Sequence, residues 1–320
     1  MCHYAKPINR DASCAALAQV HEASNTLETC AMRDTTRNWI LWAMTVLFGV
    51  FAFLKATALA PSLMAVIPAI SILVPTAFAF VHGSRRLGWP TMLCFFAIAF
   101  VISWCMESLS IATGFPFGHY HYTEKLGPKL GTVPLLIMPA YFAMCYVSWN
   151  LAHAVLDRFD HRADTLQRFA VPVIAAFIIV MWDLSMDPSR ATLSQAWIWH
   201  DGGGYFGVPF VNFMGWFLTV YLIFQSLAMV LQKQRWPRDA VSNGDNSREA
   251  WHLNTAFYFA TFIEFPAFAW LAVDRPLTDA AKVVWSSRAM YESLGLVAIF
   301  TMGFVCCLAF FKVSNAKGLQ

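Results

Sequence analysis

Residues 90–112 read Pro90-Thr-Met-Leu-Cys-Phe-Phe-Ala-Ile-Ala-Phe-Val-Ile-Ser-Trp-Cys-Met-Glu107-Ser-Leu-Ser-Ile-Ala112, with no basic residue and a single acid. A hydrocarbon core of about 30 Å takes about 20 apolar residues per helix. This stretch is therefore a transmembrane helix by length and composition, and Glu107 stands inside it. Seven more stretches qualify on either side, near 38–60, 62–82, 132–156, 169–187, 205–231, 252–273 and 289–311. In the second of these, Pro61, Pro68 and Pro75 predict kinks, which membrane helices tolerate. The fold class is all-α, a polytopic membrane bundle of about eight transmembrane helices. Composition agrees: 58% of the 320 residues are hydrophobic and 13% charged, against about 25% charged in a soluble domain. There is too little polar surface to cover a soluble core of this size.

The basic residues orient the bundle. With the N-terminus inside, inner segments hold Lys6, Arg10, Arg33, Arg37, Arg85, Arg86, Arg158, Arg162, Arg168, Lys233, Arg235, Arg238, Arg248, Lys312 and Lys317. Outer loops hold Lys125, Lys129, Arg190, Arg275, Lys282 and Arg288, a far smaller set. Lys55 falls near the outer end of the first helix, where it can snorkel. Both termini are expected on the cytoplasmic side of the cell membrane or an endomembrane. Residues 1–37 form a polar cytoplasmic tail with a short helix around Ala15 to Ala23, 38–312 the membrane domain, and 313–320 a C-terminal tail. The tail lacks the features of a secretory signal. A net charge of +3 gives no reason to expect a nucleic-acid partner. The eight cysteines show no Cys-x-x-Cys pair or framework spacing and read as packing residues or reduced thiols.

An ionisable group inside a span costs about 2.5–3.5 kcal/mol on insertion scales, so each one asks for a reason. Glu107, Asp183, Asp187 and Glu264 are the candidates. The first three group together: the spans near 90–112 and 169–187 run in the same direction, and all three acids fall in their outer parts. Asp183 and Asp187 are four apart, hence on one helix face about 6 Å apart along the axis. The following loops open on the same side and are rich in Gly, Pro and aromatic residues. One is Gly114-Phe-Pro-Phe-Gly-His-Tyr-His-Tyr122; the other contains Trp197-Ile-Trp-His-Asp-Gly-Gly-Gly-Tyr-Phe-Gly-Val-Pro-Phe-Val-Asn212-Phe-Met-Gly-Trp216. Together they predict a deep apolar cavity with carboxyl groups in its wall. A lone intramembrane acid such as Glu264 is equally compatible with a structural role. His119 and His121 lack a third partner at metal spacing. The chain carries no histidine-box cluster, Asp-Asp-x-x-Asp motif, Gly-x-Ser-x-Gly elbow or Walker loop. Acid chemistry without metal or cofactor is what these absences leave.

These loops resemble the carotenoid-biosynthesis membrane protein family that contains the carotenoid 1,2-hydratases. The resemblance covers about residues 80–230 and rests on Glu107 with Thr113-Gly-Phe-Pro-Phe-Gly118, Tyr120-x-Tyr122-Thr-x-x-Leu126-Gly-Pro128 and Val133-Pro134. It continues through Trp182-Asp-Leu-x-x-Asp-Pro188 and Gly207-Val-Pro-x-x-Asn-Phe-x-Gly-Trp216. His119 stands where the family pattern has a cation such as Arg. The resemblance implies an isoprenoid or carotenoid lipid as substrate and protonation of a terminal alkene to a tertiary carbocation. Water capture then gives a tertiary alcohol, while attack by another double bond gives a ring, so a membrane terpene cyclase is the alternative outcome. A non-catalytic lipid carrier or proton-coupled transporter is the rival from another class. The expected acid machinery is Asp183, Asp187 and Glu107, with Asp183 the first choice of donor because it lies a turn deeper. Expected substrate contacts are Phe115, Phe117, His119, Tyr120, Tyr122, Trp182, Trp197, Asn212 and Trp216, whose aromatic faces can stabilise a cation by about 0.5–2 kcal/mol each.

The orientation predicts a labelling pattern. A cysteine placed at Lys129 reacts with a membrane-impermeant thiol reagent in intact cells, and one at Arg238 does not. The reverse pattern would invert the bundle.

Overall fold

The structure, a computed structural model, describes residues 35–56, 66–159, 164–233 and 245–319. The helix expected around Ala15 to Ala23, Pro61, and the cations Lys6, Arg10, Arg33, Arg162, Arg235 and Arg238 lie outside the described residues. The described residues from 44 onward belong to one compact body, and residues 35–43 are the described part of the unit that precedes it.

The helices are α1 (Thr35–Ala56), α2 (Ile67–Leu87), α3 (Trp89–Thr113), α4 (Ile137–Val155) and α5 (Val171–Pro188). They continue as α6 (Phe210–Lys233), α7 (Arg248–Phe262), α8 (Glu264–Leu271), α9 (Ser287–Ala298) and α10 (Phe304–Asn315). A wide π-type turn, Ile299–Gly303, joins α9 to α10 into one rod, Ser287–Asn315. The chain folds as a polytopic helical membrane bundle. Among the described residues six helices are long and apolar enough to cross a membrane: Thr35–Ala56, Ile67–Leu87, Trp89–Thr113, Arg168–Leu193, Phe210–Gln232 and Ser287–Asn315. The other two expected spans correspond to α4 and to α7 with α8. Their helices form where expected, but neither has the length and apolarity of a lipid-facing helix.

The reason lies in what surrounds α4. It packs against α2, α3, α5, α6, α7 and α10, so nearly every side chain on it meets protein rather than lipid. Polar residues can then stand on any side of it without facing lipid, and several of them bond to neighbouring helices. The Asn150 amide donates to the Tyr146 carbonyl (2.9 Å) and to Asn254 Oδ1 (3.3 Å), and Asn254 returns a bond to the Val147 carbonyl (3.1 Å). The Tyr146 hydroxyl meets His82 Nδ1 at 2.6 Å. The outer helices show the opposite pattern. Leu93, Val101, Phe177, Met214, Leu296, Phe300 and Phe304 are large, apolar and exposed, an arrangement that suits hydrocarbon and not water. Of the predicted kink prolines, Pro75 lies within α2 and Pro68 in its first turn.

Short strands cap one end: β1 (Tyr120–Tyr122), β2 (Lys129–Leu130), β3 (Val133–Pro134), β4 (Trp197–Trp199), β5 (Pro276–Thr278) and β6 (Val284–Ser286). β1 pairs antiparallel with β4, setting Tyr120 opposite Trp199 and Tyr122 opposite Trp197. The two motif loops are therefore one hairpin-like cap held by backbone bonds. Gly114 makes the entry possible: it ends α3 in the left-handed conformation at φ 82°, which a side chain would oppose. The Ser110 hydroxyl then accepts from the Phe117 N–H (3.1 Å) and donates to the Gly118 carbonyl (3.0 Å), turning the chain back onto its own helix.

The cap's second loop closes tightly. A Cβ on Gly203 would sit 2.1 Å from the Val208 carbonyl, whereas one on Gly204 would touch nothing within 4 Å. Gly203→Ala therefore lowers the thermal midpoint of the purified protein, with a cost at the upper end of the overpacking range of about 1–3 kcal/mol. Gly204→Ala leaves it near the parent value.

Candidate active site

Glu107 is buried on α3, and each of its oxygens is matched by a phenol. Tyr141 of α4 donates to Oε1 at 2.8 Å; Tyr122 donates to Oε2 at 2.9 Å, and Tyr120 to the same oxygen. Two donors come from β1 because strand residues two apart share a face; Tyr120 and Tyr122 are buried and His121 between them is exposed. Burial, and next the Glu107 carboxyl, hold both β1 phenols well above their ordinary pKa. They stay protonated and can act only as donors toward it. Three donors on one carboxyl suit the ionised form.

The aspartates form a second group. Asp187 Oδ1 accepts from Trp197 Nε1 (2.8 Å), and Oδ2 accepts from Asn212 Nδ2 (2.5 Å). The same amide reaches Asp183 Oδ2 at 3.4 Å, so one asparagine of α6 spans both carboxyls. Asp183 is fully buried, and its Oδ1 has no hydrogen-bond partner among the described residues.

A cavity of about 1100 Å³ opens beside these groups. Glu107, Asp187 and Asn212 line it with Tyr120, Tyr122 and Tyr141. Its aromatic wall is built around Trp216, which stacks on Tyr141 (4.4 Å, 7°), meets Trp182 edge-on (6.2 Å) and faces Phe117 (6.4 Å). Trp197 and Trp199 complete the cap side.

The structure thus brings Glu107, Asp187, Phe117, Tyr120, Tyr122, Trp182, Trp197, Asn212 and Trp216 to one cavity. It places three expected residues elsewhere. Asp183 lies behind Asn212, outside the lining. Phe115 is 57% exposed in the turn after α3 and does not line the cavity. The His119 side chain is also exposed and faces Asp201 at 3.5 Å, because strand alternation turns it away from Tyr120. His200, a polar residue of the second motif loop, pairs with His121 (2.7 Å) on that outer side.

Sequence reading missed Tyr141 and Arg190 in the wall, and it misjudged Lys55. Rather than snorkelling, Lys55 pairs with Glu264 inside the cavity wall, since a buried carboxylate draws the nearest available cation. A tyrosine or an arginine in an apolar stretch carries no local mark of facing a cavity. Among the described residues no three His, Cys, Asp or Glu side chains gather as a metal-ligand group.

The fold and this site define a class: a multi-pass membrane protein with carboxyl groups lining an aromatic cavity under a loop cap. The family profile of carotenoid biosynthesis proteins matches residues 67–279, and the chain belongs to that family. A stretch of 118 residues is 30% identical to bisanhydrobacterioruberin hydratase of Haloarcula japonica, covering 37% of this chain. The match spans only 38% of that relative's length. No solved structure matches the chain.

The histidine pair gives a pH dependence with a definite sign. Partial desolvation, then His200 and Lys129, hold the His121 ring below its ordinary pKa near 6.5. The unfolded chain therefore binds the proton more readily, and stability falls as pH drops below about 6.5. His121→Gln removes that component, which thermal melts from pH 7.5 to 5 can measure.

Proposed function

We propose that the protein is a carotenoid-modifying membrane enzyme that starts from protonation of an alkene, and that its outcome is hydration of a terminal isoprene double bond. The observation that carries this reading is Asp187 in the wall of an aromatic cavity, joined through the Asn212 amide to the buried Asp183 behind it. Family membership and the local likeness to a hydratase support it.

In this mechanism the terminal isoprene lies along Trp216, Trp182 and Phe117. Two buried carboxyls sharing one amide beside an apolar cavity cannot both ionise cheaply, so one keeps its proton. Asp187 faces the cavity and is the donor; Asp183 shares its hydrogen-bonding partner from behind. The O–H bond breaks as a C–H bond forms at the less substituted alkene carbon, leaving a tertiary cation. The aromatic faces and ionised Glu107 stabilise that cation. Water held by Tyr120, Tyr122 and Asn212 adds to it, and its second proton returns to the aspartate pair. Polar groups at the reacting end favour water capture over ring closure.

Product formed in heavy water gains one non-exchangeable deuterium on the carbon beside the former cation, and labelled water adds a heavy oxygen. A product with deuterium and no solvent oxygen would assign a cyclase; a product without deuterium would sink both. Asp187→Asn lowers turnover by about 10² or more, while membrane expression is kept. Asp183→Asn acts through the shared proton and lowers it in the same direction. Exhaustive chelation leaves turnover unchanged, whereas activity restored by one divalent ion would overturn the metal-free scheme.

A further inference from the structure

The cavity has a second charged pole that alkene protonation does not use. Lys55 of α1, Arg190 just beyond α5 and Glu264 at the start of α8 all line it. Glu264 accepts from Lys55 Nζ through Oε2 and from Arg190 Nη2 through Oε1, the latter at 3.2 Å. The Lys55 and Glu264 side chains are 6% and 7% exposed, and Arg190 is 24% exposed. Burying an ion costs several kcal/mol, and ionisable groups within a membrane bundle cluster at functional sites. Here two cations share one carboxylate, which leaves net positive charge beside the cavity. Arg275 and Lys125 add positive charge to the lining, and its other carboxyls, Glu107 and Asp187, already accept from phenol, indole and amide groups. The excess positive charge faces the cavity, where a ligand can reach it.

Building on the isoprenoid reading, we infer that Lys55 and Arg190 receive an anionic group, carboxylate or phosphate, borne by the substrate itself. Glu264 holds the two cations in place and is partly released when the anion binds. The preferred substrate is then a carotenoid that bears an acid or phosphate ester group rather than a bare hydrocarbon. The two poles divide the work: the aspartate end reacts, and the Lys55–Arg190 end sets how the chain lies. A hydrogen bond to a charged group is worth about 1.5–3 kcal/mol, so loss of the anion should cost about tenfold or more in affinity.

The test is equilibrium binding to the full-length protein in lipid nanodiscs, read by quenching of tryptophan fluorescence. Trp182, Trp197, Trp199 and Trp216 all line the cavity, so a bound polyene quenches them. The probes are retinoic acid, retinyl phosphate and retinol, with inorganic phosphate as competitor. The acid and the phosphate ester should bind about tenfold or more tighter than the alcohol. In the double variant Lys55→Gln, Arg190→Gln that preference should disappear while retinol binding persists. Glu264→Gln frees both cations and should strengthen binding of the two anionic probes only. Equal affinity of the wild-type protein for acid and alcohol would overturn the inference, and this comparison needs no variant to fold. Loss of thermal stability in Glu264→Gln with an unchanged preference would also overturn it, leaving a structural ion cluster. Displacement of retinyl phosphate by inorganic phosphate at like concentrations would reassign the pole to free anions. The readout involves no turnover, so its failure leaves the deuterium experiment standing, and failure of that experiment leaves this one intact.

Discussion

The structure depends on one constraint: an ionised carboxyl in the interior of a membrane bundle is costly unless hydrogen-bond donors meet it. Water cannot do this in the apolar interior, and an unmatched ion there costs several kcal/mol. Glu107 meets the requirement with three phenols from two elements, β1 and α4. β1 must therefore fold down over the end of α3, and Gly114 and Ser110 provide the turn that brings it there. Pairing with β4 carries the same logic to the aspartates, since it positions Trp197 to donate to Asp187. The cap and the acids are mutually dependent, because each supplies what would otherwise be missing from the other.

The same constraint explains an inverted helix at the centre. α4 carries Tyr141, Tyr146, Asn150 and His153, all buried, where lipid-facing helices carry leucine and phenylalanine. Protein on every side allows polar side chains there, and their hydrogen bonds fix how neighbouring helices rotate about it. Tyr141 illustrates the result: it stacks on Trp216 with one face and donates to Glu107 with its hydroxyl. It joins the aromatic wall to the acid it supports. A cavity built this way combines aromatic and apolar faces with a small number of fixed polar atoms, the composition usual for specific small-molecule sites.

The charged groups of the cavity fall into two sets of different character. In one, the carboxyls accept from neutral donors. In the other, Glu264 is shared between Lys55 and Arg190. Arg190 lies only three residues past Asp187, yet its guanidinium reaches α8, so a single helix end contributes to both.

Much of this was legible in the chain alone. Eight helical segments follow from apolar run length, because the bilayer sets a minimum that the composition must obey. Glu107 and Asp187 stood out because charge is costly in such runs, and the Gly- and Pro-rich loops marked where the backbone must turn sharply. Period-two alternation in Tyr120-His-Tyr122 already separates the buried phenols from the outward histidine, although His119 was first assigned to the substrate. Local sequence could not show which polar side chains meet. That Tyr141 reaches Glu107, that Asn212 spans Asp183 and Asp187, and that Lys55 turns inward to Glu264 depend on contacts between residues far apart in sequence. Run length and cost of charge are properties of a segment and its solvent, so the sequence determines them. Cavity shape and hydrogen-bond partnership arise from the rotation and depth of helices packed together, and only the tertiary structure decides those.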